Sequence, residues 1–264
     1  MGKIGAMNGM VAPAKLTLSL AVTGVRADGY HELRSEMVSL SLSDELTFTE
    51  GMSGLTLVAE PGTRAEALAG DEGRNLITQA LAAVGRRAAV RVVKRIPLGG
   101  GLGGGSTDAA AVLRWAGCSD PDIARSLGSD VPFSVVGGRA LVEGTGEKVT
   151  PLPFEEREFL LLIPPFGVNT ALVYAAWDEL DQAEPQRVNA LTDAALVVEP
   201  RLLGWRDAFR DLTGLQPTLA GSGSTWFVEV SSPARTDPPR WLTHDDERAR
   251  LIRARTVPSG WDGN

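Results

Sequence analysis

Six glycines occupy seven positions in the run Gly99-Gly100-Gly101-Leu102-Gly103-Gly104-Gly105, between Ile96-Pro97-Leu98 and Ser106-Thr107-Asp108. Without Cβ atoms the backbone can approach a ligand closely, and its N–H groups, with the positive end of a following helix, suit a phosphate chain. A flexible linker would mix Ser, Pro and charges; this run lies between a strand-like Val90–Lys94 and an alanine-rich helical pattern. A P-loop needs a lysine after its last glycine, and none follows here. Gly99, Gly101 and Gly104, with Asp120 downstream, meet the dinucleotide fingerprint formally. That fingerprint normally opens parallel βαβ repeats, whereas here antiparallel-looking strands come first and Ile96-Pro97 intrudes before the loop.

Two further residues have the chemistry a phosphate site would use. Lys15 is an isolated charge on a strand whose same face otherwise carries Thr17 and Ser19. Asp130 lies between Gly128 and the apolar Val131-Pro132-Phe133, a setting for a partly buried carboxylate. Other chemistries are poorly supported. One cysteine, Cys118, and two histidines, His31 and His244, assemble no Cys/His metal cluster and no intrachain disulfide, which reads as cytoplasmic. Gly221-Ser222-Gly223-Ser224-Thr225 contains no G-x-S-x-G elbow. A net charge of -7 and a pI near 5.0 argue against a nucleic-acid or anionic-membrane surface while leaving room for a local anion site. No apolar run reaches the roughly 18 residues of a membrane span.

These residues must be positioned by an α+β fold. From Val11, Leu16, Leu18, Leu20 and Val22 alternate with Lys15, Thr17 and Ser19; a turn at Asp28-Gly29 and alternation at 37–42, 46–49 and 55–58 predict a run of antiparallel strands. Asp71–Val84 has helical spacing, and Ser106 is placed to cap a helix ending near Gly117. The second half predicts a strand at Glu158–Ile163, a helix capped by Thr170, a helix at Arg201–Leu212 before Gly214, a strand at Trp226–Val230, a loop at Ser231–Pro239 and a strand at Leu251–Val257. The expected organisation is a disordered leader at 1–10, an ATP-binding lobe at 11–150 and a second lobe at 151–264.

Pro97 to Ala110 resembles the ATP-binding motif of the GHMP small-molecule kinases. Within that superfamily, Ala12-Pro13-Ala14-Lys15, Asp28-Gly29-Tyr30-His31-Glu32-Leu33, Asn75-Leu76-Ile77, Gly128-Ser129-Asp130-Val131-Pro132-Phe133, Gly144-Thr145-Gly146-Glu147 and Ala220-Gly221-Ser222-Gly223-Ser224 resemble, in that order, the 4-diphosphocytidyl-2-C-methyl-D-erythritol kinases. The resemblance spans about residues 11 to 230. It implies a two-lobed GHMP kinase fold, with a ribosomal-S5-domain-2-like N-terminal lobe and a ferredoxin-like C-terminal lobe. It also implies ATP-dependent phosphorylation of the 2-hydroxyl of the cytidyl substrate in non-mevalonate isoprenoid synthesis.

The same resemblance implies catalytic roles for Lys15 and Asp130. It implies ATP contacts from Pro97, Leu98, Gly99, Gly100, Gly101, Leu102, Gly103, Gly104, Gly105, Ser106 and Thr107, with a Ser106 or Thr107 hydroxyl close to phosphate or Mg²⁺. Substrate contacts fall to Thr17, Tyr30, His31, Tyr174, Gly221, Ser222 and Gly223, the two tyrosines stacking the pyrimidine and His31 bonding its edge. Thr17 and Ala190 depart from the family's usual Asn and Asp, and the stretch from Ser106 to Asp130 leaves little room for the usual helix pair. A GHMP kinase of another specificity is the alternative, against which Asp28-Gly29-Tyr30-His31 speaks; a non-catalytic nucleotide-binding relative is another, against which Lys15 and Asp130 speak.

Overall fold

The computed structural model describes residues 8–63, 75–180, 188–230 and 239–263. The first half comprises β1 (Asn8–Val25), β2 (His31–Glu50), β3 (Gly54–Ala59), α1 (Leu76–Ala83), β4 (Ala88–Lys94), α2 (Gly104–Trp115), α3 (Pro121–Leu127), α4 (Val131–Val136), β5 (Arg139–Gly144) and β6 (Lys148–Pro151). Its sheet runs β3-β4-β2-β5-β6, with β1 paired antiparallel to β2. Only β3 and β4 are parallel, joined across α1; every other described pairing is antiparallel, so the glycine run does not open a Rossmann sheet. Asp120 instead caps α3, accepting from Asp122 and Ile123 N–H groups.

The second half comprises β7 (Glu158–Ile163), α5 (Thr170–Glu179), α6 (Thr192–Val198), α7 (Arg201–Thr213), β8 (Thr218–Leu219), β9 (Trp226–Glu229), β10 (Trp241–His244) and β11 (Glu247–Arg255). Its antiparallel sheet runs β10-β11-β7-β9-β8. Each sheet packs helices on one face. Phe48, Val90 and Val92 meet Ile77 and the Ala109–Leu113 stripe of α2, while Leu162, Trp226 and Val228 meet Val173, Trp205 and Phe209. A third apolar cluster joins the two sheets: Leu16, Leu18, Val38 and Leu40 pack with Phe159, Leu161, Phe227 and Ala254. Among the described residues no helix is long and apolar enough to cross a membrane.

Several local expectations are corrected. Asn8–Met10 already belong to β1, opposite Phe48 to Leu46, so they are not part of a leader. Both faces of β1 are covered: Lys15 and Thr17 are buried as well as Leu16 and Leu18. The separate strands expected at 37–42 and 46–49 are one strand, because Asp44 between them is fully buried and hydrogen-bonded rather than turning the chain. Asn169, not Thr170, caps α5, its carbonyl accepting from Ala171 and Leu172 N–H groups. The final strand starts at Glu247, and α2 and α3 both fit between Gly104 and Leu127 because α3 is only two turns long. The expected helix start at 71–74 and most of the loop at 231–239 lie outside the described residues.

Candidate active site

The glycine run is a compact turn locked on three sides. Gly103 has φ +69° and is the N-cap of α2, which corrects the expected role of Ser106; that serine sits inside the first helical turn. A Cβ at Gly103 would stand 2.7 Å from Lys15 Cγ, and one at Gly101, with φ +76°, 2.7 Å from the Ala220 carbonyl oxygen. Glycine is therefore required at both positions by backbone conformation and by space. The Leu102 carbonyl accepts from Lys15 N–H at 3.0 Å, and the Gly100 carbonyl from Thr225 N–H at 3.3 Å. The loop is thus clamped between β1 and the Gly221–Thr225 turn. Pro97 and Leu102 are buried, so this stretch presents backbone rather than side chains to a ligand. Thr225 Oγ1 is buried without a hydrogen-bond partner and would lie 3.0 Å from a Cβ at Gly100.

Beneath the loop lies a buried charge cluster absent from the sequence reading. Lys94 Nζ, at the end of β4, bonds Asp44 Oδ2 and, at 2.5 Å, Asp108 Oδ2 on α2. Asp44 Oδ1 accepts from the N–H groups of Arg95 (2.5 Å) and Ile96 (2.9 Å). One lysine therefore ties β2, the root of the loop and the helix that follows it. Burial disfavours the Lys94 charge, but Asp108 and Asp44 outweigh that and hold its pKa above the ordinary value. For Asp108, burial pushes the carboxyl up, Lys94 pulls it back and Asp44 pushes it up again, leaving it at about 7. An isolated lysine closing an apolar strand, and an aspartate in a run of alanines, were the available signals.

Above the loop, Lys15 Nζ stands 3.3 Å from Asp130 Oδ2 and donates to Thr17 Oγ1 at 3.2 Å. The alternation of β1 places Lys15 and Thr17 on one face; the turn after α3 delivers Asp130. Lys15 is nearly covered, whereas the Asp130 side chain is 27% exposed and can meet a ligand. Such a pair can take a proton from a hydroxyl on one side while the ammonium holds the carboxylate in place. Ser106 Oγ lies on the Gly128 side of the helix start, 3.9 Å from where a Cβ at Gly128 would be. Thr107 does not share that position: it is buried and its hydroxyl donates to the Pro13 carbonyl at 2.7 Å. Gly221 lies over Lys15 and Thr17, and Ser222 is tied to Thr170 by a 2.8 Å hydroxyl contact.

From Gly128 and Ser129, beside Asp130, a cavity of about 1050 Å³ extends between α3 and α5. Arg26, Tyr30, His31, Arg125, Tyr174 and Asp178 line it. His31 stacks on Tyr174 with ring centroids 4.7 Å apart, meets Trp177 edge-on and shares a 2.7 Å hydrogen bond from Nε2 to Asp178 Oδ1. Burial, and then the Asp130 carboxylate, push the Tyr174 phenol up to about 12, so it stays protonated. Tyr30 stands at the mouth, 66% exposed.

A family model described as the GHMP kinases N terminal domain matches residues 75–138. A 4-diphosphocytidyl-2-C-methyl-D-erythritol kinase of Dehalococcoides mccartyi is 36% identical over 83% of this chain and 88% of its own length. The same-named protein of Paracoccus denitrificans is 36% identical over 95% and 93%. A crystal structure of 4-(cytidine 5'-diphospho)-2C-methyl-D-erythritol kinase superposes with a TM-score of 0.64 at 34% identity, covering 83% of this chain and 89% of the other. This chain belongs to the 4-diphosphocytidyl-2-C-methyl-D-erythritol kinases. Its α+β fold is accordingly that of the GHMP kinases, and it is an ATP-dependent small-molecule phosphotransferase.

In this kinase the structure brings Lys15, Thr17, Asp130, Ser106 and the loops at Gly99–Gly105 and Gly221–Gly223 to one place, and opens the Tyr30–His31–Tyr174 cavity beside it. The two tyrosines do not face each other as a ready clamp, because His31 already covers Tyr174. Asp178 escaped the sequence reading, although it follows Tyr174 by one helical turn and so shares its face. Beside Ala190, Asn189 carries the local bonds, its side-chain amide donating to the Leu219 and Gly221 carbonyls.

Proposed function

We infer that this enzyme transfers the γ-phosphoryl group of ATP to the 2-hydroxyl of 4-diphosphocytidyl-2-C-methyl-D-erythritol, a step of non-mevalonate isoprenoid synthesis. The observation that carries this reading is a large aromatic-lined cavity whose wall at Gly128 and Ser129 runs directly into Asp130, the partner of Lys15. Asp130 accepts the hydroxyl proton, the oxygen attacks the γ-phosphorus, and the β,γ-bridging oxygen leaves with ADP. Lys15 holds Asp130 in register, and the loop amides with the N-terminus of α2 offset charge on the phosphates. Base recognition falls to the cavity walls, with the exposed Tyr30 ring free to stack on the pyrimidine and the His31–Tyr174 stack forming the wall beside it.

Magnesium fits as a nucleotide-borne ion. Among the described residues no cluster of three or more His, Cys, Asp or Glu gathers to hold a metal, and Mg²⁺ commonly rests on phosphates with one or two protein oxygens. Ser106 and Asp130 have the oxygens for it; when bound, it neutralises phosphate charge. The scarcity of cysteine supports a cytoplasmic setting.

The test is ADP release with Mg²⁺-ATP across a panel containing the cytidyl substrate, mevalonate and homoserine. Turnover confined to the cytidyl substrate is expected. Turnover of another alcohol in its place would overturn the assignment.

A further inference from the structure

Arg114, in the last turn of α2, spends its charge on backbone carbonyls of two other elements. Its guanidinium donates from Nη1 to the Ser134 carbonyl at 2.5 Å and from Nη2 to the Val11 carbonyl at 2.9 Å. Burial lowers its pKa, and among the described residues no carboxylate raises it again. A basic side chain in a last helical turn ordinarily offsets the charge of its own helix end. This one reaches past its helix.

The two acceptors lie on the two elements that carry the catalytic pair. Val11 precedes Lys15 by four residues on β1, and Ser134 follows Asp130 by four residues in α4. Ser134 is itself bonded to Asp130, its N–H and Oγ donating to the Asp130 carbonyl at 3.0 and 2.8 Å. Arg114 is therefore one residue removed from the Asp130 backbone on one side and on the strand of Lys15 on the other.

The edge position of β1 explains why a side chain is needed there. β1 pairs only with β2 in its sheet, so the carbonyls of Val11 and Pro13 and the N–H of Lys15, which alternate onto its other edge, need partners elsewhere. Arg114 takes the first, Thr107 Oγ1 the second at 2.7 Å, and the Leu102 carbonyl the third at 3.0 Å. Thr107 and Arg114 are seven residues apart and share one face of α2. Both fix β1 to that helix, and Arg114 alone of the two reaches on to α4. A guanidinium can serve two acceptors at once because its N–H groups diverge in a fixed plane, whereas an ammonium is a single point.

We infer that Arg114 is a positioning residue for phosphoryl transfer, holding the backbones of β1 and α4 in the register that sets Lys15 Nζ 3.3 Å from Asp130 Oδ2. This role rests on those given to Lys15 and Asp130 above.

Steady-state kinetics test it in R114M and R114K, each alone and combined with D130N. R114M keeps the bulk and loses both bonds. Its kcat should fall about 10- to 100-fold, the scale of a misplacement of about 1 Å, with both KM values within about twofold of wild type. R114K keeps the charge and can reach one carbonyl, so it should recover part of that loss. In the D130N background neither substitution should lower kcat by more than about twofold further, because no proton acceptor remains to be misplaced. A merely structural arginine would lower the melting temperature and leave the kcat of the folded enzyme unchanged, or would multiply its loss onto that of D130N. Either result overturns the positioning role, as does a loss confined to KM. Should R114M not fold, R114K carries the same cycle, its kcat alone and with D130N deciding. Should the wild type turn over an alcohol other than the cytidyl substrate, the specificity assignment falls, and the cycle run with that alcohol still decides the role of Arg114.

Discussion

At the glycine loop the groups facing a ligand are backbone amides, held from below by Lys94 and Asp108, which flank the loop 14 positions apart. In the adjoining cavity they are side chains, and the bond that orients them, His31 to Asp178, joins residues 147 positions apart. The first region is tightly constrained; the second is open, with Tyr30 in solvent. A phosphate chain is the same in every nucleotide-dependent kinase and can be met by fixed backbone, whereas a base must be distinguished by side chains that differ between substrates. Damage to the two regions should therefore separate kinetically.

The largest effect belongs where the regions meet. D130N should lower kcat by about 10²- to 10⁴-fold with little change in either KM, as loss of a proton acceptor does; steady-state rates showing near-normal kcat would remove Asp130 from that role. G101A forces a side chain into positive φ against the Ala220 carbonyl, and it should raise the KM for ATP by about tenfold, given strain of roughly 1–3 kcal/mol. The KM for the cytidyl substrate should move far less; equal shifts would erase the contrast between the regions. D178A frees His31 and should raise the substrate KM by about fivefold, the scale of one hydrogen bond, with ATP affinity unchanged.

The smallest effect concerns pH. Asp108 sits at about 7 when folded against an ordinary 3.8. Between those values the folded chain keeps a proton that the unfolded chain has lost, so its contribution to stability is full below about 3.8 and falls as pH rises to about 7. D108N should flatten denaturant-measured stability over that window by a slope of at most about one proton. An unchanged slope would place the buried proton elsewhere.

How much of this was legible in the sequence follows the same division. The glycine loop could be read because its function is contiguous and depends on what the residues lack. That Lys15 shares a face with Thr17 could be read from strand alternation, whereas a catalytic role for it was implied only by the resemblance. Asp44 could not: Ser43-Asp44-Glu45 carries turn chemistry, and only the tertiary approach of Arg95 and Ile96 turns its carboxylate into a clasp within a straight strand. Helix starts were misplaced by one to three residues for a related reason. Gly103 and Asn169 can each begin a helix as well as the neighbouring hydroxyl residues, and backbone geometry chose between them. Asp178 meets His31 only because α5 is laid against the start of β2.

The apolar seam between the two sheets has a consequence for how the molecule comes apart. Leu16, Leu18 and Leu40 from one sheet and Phe159, Leu161 and Phe227 from the other are buried by each other. Peeling either lobe away would wet both sets at once, so neither half has a complete interior of its own. Thermal and chemical denaturation should then show a single cooperative melt, the two lobes coming apart only as the chain unfolds.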